Sequence, residues 1–149
     1  MTMSKDSPNA VSEQYGGLLR RLAALSYDVL LVTSVLMLLT LALLPLSGGQ
    51  PIEPGNVFYQ ISLFVAVGCF FVGFWVYGGQ TLGMRAWRLR VTQNSGEPLT
   101  WKIGLIRFIS GFLSLLPLGL GVIWIAIDPE KQAWHDKIAG TRVVLLPRP

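Results

Sequence analysis

Three long apolar runs divide the chain, with polar stretches between them. The first reads RLAALSYDVLLVTSVLMLLTLALL over residues 21–44. About 20 apolar residues rising 1.5 Å each cross the roughly 30 Å hydrocarbon core of a bilayer, so residues 22–44 predict a membrane-spanning helix. A second run, residues 57–77, is also long enough to cross. Tyr59, Trp75 and Tyr77 stand near its ends, where interfacial aromatics gather. The third run, residues 103–127, is broken by Pro117, Gly119 and Gly121, a poor centre for a helix. Two routes fit it: one span, or a broken, re-entrant hairpin that goes in over 103–116 and returns over 118–127. The hairpin is favoured.

The connectors carry turn and strand signals. Residues 45–56 hold three prolines and three glycines and read as a loop. Residues 80–88 suggest a short interfacial helix beyond a Gly78-Gly79 hinge, and residues 89–92 alternate like a strand. Asn94-Ser95-Gly96 is a turn closed by Pro98. Residues 141–146 resemble a second strand, which can pair with the first only if both lie on one side of the membrane. Asp128 before Pro129 has the pattern of a helix start, with the carboxylate as N-cap. Trp87, Trp101 and Trp134 read as interfacial anchors.

Composition agrees with the pattern. Hydrophobic residues make up 52% and charged residues 13%, against about 25% charged in soluble domains. The expected class is an all-α integral membrane protein: two full transmembrane helices plus a broken or re-entrant third hydrophobic segment, with a small two-stranded cytoplasmic β element. Residues 1–15 read as a disordered cytoplasmic tail and residues 16–146 as a single membrane domain. A signal peptide is a poor fit, because the first run is too long and contains Asp28.

Charge supplies a topology. Lys5, Arg20 and Arg21 precede the first span, residues 45–56 hold no Lys or Arg, and Arg85, Arg88, Arg90 and Lys102 follow the second. The positive-inside rule then puts the N-terminus and the central loop in the cytoplasm. Lys131, Lys137, Arg142 and Arg148 belong inside as well, which the hairpin permits and a third full span forbids. Arg85, Arg88 and Arg90 are expected at lipid headgroups. The net charge of +4 forms no basic stripe, and no nucleic-acid motif is present, so nucleic acid is not an expected partner.

Candidate chemistry begins at Asp28. A carboxylate inside such a run costs about 2.5–3.5 kcal/mol on insertion scales, so it needs a partner or a function. Arg21 is the nearest cation, on almost the same helix face but about 10 Å away along the axis. His135 and Asp136 form a polar pair in the tail. They read either as a proton relay or as groups pinning the tail to the central loop, and neighbours on a helix point too far apart to bond each other readily. Cys69 is the single cysteine and His135 the single histidine, which leaves no disulfide, heme or multi-ligand zinc site to expect. No cofactor is expected. Neither is an enzyme, since no nucleophile–base arrangement stands out.

Three blocks, taken in order, carry a resemblance. They are Arg21-x-x-Ala24-x-x-x-Asp28, Gly79-Gln80-Thr81-Leu82-Gly83-Met84-Arg85 and His135-Asp136-Lys137-Ile138-Ala139-Gly140-Thr141, with Arg90-Val91 and Asp128-Pro129 between them. Over residues 16–144 the chain resembles the RDD family, small bacterial membrane proteins named for an arginine and two aspartates. The resemblance implies that Arg21 is the family arginine and Asp28 the first aspartate. It implies Asp136 as the second, with Asp128 the alternative. Met84 stands where a lysine is expected, beside Arg85. The bacterial inner membrane is the implied location, and transport of ions or small solutes the suggested activity. The first expectation is thus an oligomer moving a cation, proton or small solute past Arg21, Asp28 and Asp136. The alternative is a non-transport assembly or accessory protein, a homo-oligomer or the partner of another membrane protein or of anionic lipid.

Overall fold

A computed structural model describes residues 14–148. The first apolar run forms α1 (Leu18–Leu43), which starts early enough to take Arg20 and Arg21 into its first turn. A 3-10 turn (Leu44–Ser47) follows, then Gly48 at φ 68° and Gly49 at φ 77°, values that glycine adopts without strain. Asn56 caps α2 (Val57–Gly78) by accepting the Tyr59 N–H at 3.0 Å, and Gly79 ends it at φ 66°. Both helices are long and apolar enough to cross a membrane.

At the end of the molecule where α1 begins lies a small cap. It starts with α3 (Leu82–Ala86), capped by Thr81, a shorter helix than residues 80–88 suggest. Strand β1 (Leu89–Gln93) pairs antiparallel with β2 (Thr141–Leu145), Leu89 opposite Leu145 and Val91 opposite Val143. The expected strand pair therefore forms. Tyr15 adds a bridge to Val144, and the Gly16 N–H bonds Val143 O at 3.0 Å. The expected tail is thus corrected at its end: Tyr15 is tied to the sheet, while residues 1–13 lie outside the described residues. Inward side chains of both strands, Leu89, Val91 and Val143, bury against Ala24 of α1, Met84 and Leu99.

The third run is bent. Helix α4 (Trp101–Leu115) ends before Leu118 at φ 54° and Gly119 at φ 79°. Helix α5 (Leu120–Ile123) and a 3-10 turn (Trp124–Ala126) then leave at 106° to α4. The run is a broken pair, and a straight third helix is not formed. Glycines let α4 lie close on α2: a Cβ at Gly104 would stand 3.0 Å from Val72, and one at Gly68 3.3 Å from Phe108. No helix starts at Asp128. Its carboxylate accepts the Gln132 N–H at 3.0 Å within a turn in which Lys131 has φ 54°, and α6 (Trp134–Ala139) begins only afterwards. The Asp-Pro signal is overridden by this local turn.

Candidate functional site: a buried arginine–aspartate clasp

Asp136 sits in the first turn of α6, where its carboxylate reaches back to the Ala133 N–H at 2.9 Å. Its side chain is 0% exposed. Arg21 of α1 donates from Nη1 to one carboxylate oxygen at 2.5 Å, and Arg107 of α4 donates from Nη1 to the other. One buried acid therefore joins the N-terminal helix, the bent pair and the C-terminal segment. Arg21 also donates Nε to Gly16 O at 2.9 Å and Nη2 to Lys131 O. Arg107 donates to Thr141 Oγ1 at 2.7 Å, and its guanidinium lies 5.1 Å from the Trp75 ring centre. Burial by itself raises the Asp136 carboxyl. The charges of Arg107 and Arg21 outweigh it and hold the group well below the usual carboxylate range.

Asp28 is 2% exposed and has other partners. Thr81 donates its hydroxyl to it at 2.5 Å, and the Gly83 N–H bonds it at 2.8 Å. A Cβ at Gly83 would stand 2.1 Å from Ala24 O and 2.9 Å from the Asp28 carboxyl carbon, so only glycine permits this approach of α3 to α1. The nearest sequence candidate for Asp28, Arg21, is not its partner. Each is bonded by a segment distant in sequence.

His135 donates its backbone N–H to Ser114 Oγ at 3.0 Å, and its Nδ1 lies at the same distance from that hydroxyl. Its Nε2 approaches Asp136 at 3.6 Å, too far for a hydrogen bond. Burial, then the Arg107 charge, push the imidazole down to about 4, so it is neutral at pH 7. Asp128 stands apart from the clasp. It pairs with Lys137 at 2.5 Å, and that bond and the Gln132 N–H lower its carboxyl. Arg85 and Arg90 are exposed on the cap, whereas Arg88 is half-buried and reaches Leu146 O at 3.4 Å. Trp134 packs beside Trp124, ring centres 6.4 Å apart.

Arg107 was absent from the sequence candidates. A signal for it existed: it is the one arginine in the third apolar run, near its start, where a charge needs a partner or an exit to the interface. Thr81 was visible only as part of a motif block, and nothing in the sequence pointed to Ser114 beside His135. A cavity of about 310 Å³ lies between α1, α2 and α4, with Asp28, Phe71, Arg107, Phe112, Ile125 and His135 among its lining residues.

Two bilayer-length apolar helices, the first tied to α4 and α6 by a buried Arg–Asp–Arg cluster, define a helical protein of membrane type. A family model described as the RDD family matches residues 15–140, most of the chain, and the protein belongs to that family. It is also similar to the uncharacterised protein RP437 of Rickettsia prowazekii (strain Madrid E), 29% identical over 91 residues. That stretch is 60% of this chain and 50% of the relative, so the chain spans about half the length of the curated relative it matches. No solved structure matches.

Proposed function

We propose that the protein is a multi-pass component of the bacterial inner membrane, its cap in the cytoplasm, acting as a non-transport assembly or accessory module. The observation that carries this reading is where the hydrogen bonds of the charged groups go. Arg21, Arg107 and Asp136 bind one another, and Asp28 is bonded to α3. Along α1, the Ser26, Thr33 and Ser34 hydroxyls each bond the carbonyl four residues back, at 2.9, 2.8 and 3.0 Å. The clasp and the Asp28 bonds tie the cap onto the helices, while the hydroxyl bonds stay within α1, an arrangement that suits a docking module. Exposed apolar side chains along α1, such as Leu30, Met37, Leu38 and Leu41, suit the lipid tails around a membrane helix. Exposed Arg85 and Arg90 suit anionic headgroups at the cytoplasmic surface.

One observation favours a second reading, transport of a proton, cation or small solute by an oligomer: the Asp28 carboxylate stands on the cavity wall. Proteoliposomes separate the two. Under the accessory reading, vesicles with the purified protein hold an imposed proton or sodium gradient as protein-free vesicles do, and Asp28→Asn lowers recovery or oligomer size. Gradient loss that Asp28→Asn abolishes at unchanged oligomer size would establish transport instead.

A further inference from the structure

The cavity between α1, α2 and α4 has the makings of a ligand site that rests on its own lining and is independent of how the protein assembles. Its volume, about 310 Å³, is at the small end of ligand pockets, which combine apolar and aromatic walls with a few polar groups. Phe71, Phe108, Phe112, Leu115 and Ile125 supply such walls here. Arg107 supplies the polar end. Both of its hydrogen bonds leave from Nη1, and its buried Nε has no partner among the described residues. Arg107 is itself 4% exposed. The Nε side of a guanidinium is one of the two edges that grip a carboxylate with parallel N–H bonds.

Two guanidiniums share the single Asp136 carboxylate, so the clasp taken by itself carries one net positive charge. The acid on the cavity wall, Asp28, turns its two oxygens to Thr81 and Gly83 of the α3 segment.

We propose that this cavity binds a single-chain fatty acid from the bilayer, its carboxylate on the free edge of Arg107 and its chain among the aromatic residues of α2 and α4. The planar carboxylate matches the guanidinium edge, which a neutral chain end does not.

The test uses the full chain in nanodiscs of zwitterionic phosphatidylcholine, with tritiated palmitate as the probe. Saturable binding is expected. Unlabelled palmitate should displace the label, and methyl palmitate should do so at least about tenfold more weakly. A Cβ at Gly111 meets nothing within 4 Å although Gly111 lines the cavity, so Gly111→Trp should keep the fold and block the chain. That variant should lose saturable binding while its thermal midpoint stays put. Arg107→Lys, where it folds, should weaken palmitate about tenfold and leave methyl palmitate unchanged. Equal displacement by acid and ester, stronger displacement by a lysophospholipid, or a folded Gly111→Trp that binds as before would each overturn the proposal, as would the absence of saturable binding.

Discussion

A carboxylate away from water persists only in company, and Asp136 has two guanidiniums and a backbone N–H around it. Removing one member of a buried ion cluster costs about 3–5 kcal/mol, since the remaining charges keep their desolvation penalty without their partner. Asp136→Ala strands both arginines. It should accumulate poorly and lower the thermal midpoint of the purified protein well below that of Asp128→Ala, whose Lys137 partner is 45% exposed. Equal midpoints for the two variants would argue against the clasp. The neighbouring imidazole adds a pH dependence. His135 is held at about 4 in the folded chain against 6.5 normally, so the unfolded chain binds the extra proton between those values. Its contribution, on the order of 3 kcal/mol, is complete above pH 6.5 and lost as pH falls toward 4. Asp136, also depressed, loses its contribution only below the usual carboxylate range. Thermal midpoints recorded from pH 8 to 4 should therefore decline below about 6.5, and His135→Gln should flatten that decline.

At the scale of elements, the joint between α1 and α3 leaves less room for a Cβ than any other described glycine position, and Gly83 allows it. Gly83→Ala would drive its Cβ against the Ala24 carbonyl, 2.1 Å away, which separates the helices or strains the backbone. Overpacking of this kind costs about 1–3 kcal/mol. Gly73→Ala, in α2 with open space around it, should change the midpoint little, and comparing the two by thermal scan checks the packing argument. The elements were largely legible. Apolar runs and aromatic ends marked α1 and α2, alternation marked β1 and β2, and Pro117 with Gly119 marked the break after α4. The start read at Asp128 failed for a physical reason. An N-cap signal is local, and at Asp128 the Lys137 ammonium and the Gln132 N–H claim the carboxylate for a turn instead. Residues 80–88 were read too long because Gly79 at φ 66° and Arg88 at φ 56° bracket a single turn of helix.

For the whole molecule, strand pairing places the C-terminal strand at the same end as the start of α1, and the charge count is the basis for the proposal that this end is cytoplasmic. The proposed orientation is checked with single cysteines in a Cys69→Ser background. A cysteine at Gly49 should react with an impermeant maleimide in intact cells, and one at Ser95 only after the membrane is permeabilised. Labelling of Ser95→Cys from outside would invert the topology.

Sequence alone determined the membrane character, the two spans to within a few residues, a break signal in the third run and the family, because each is written in local composition, periodicity or ordered motif blocks. It also flagged Arg21, Asp28, His135 and Asp136 as costly or unusual. Tertiary structure alone decided who binds whom. Arg21 and Asp28 share a helix face, yet α3 and α6 arrive from 53 and 115 residues away and bring them better partners. Arg107, hidden in an apolar run, is the third arm of the clasp. Pairing among buried charges depends on which segments fold against one another, and no spacing along a single helix encodes that.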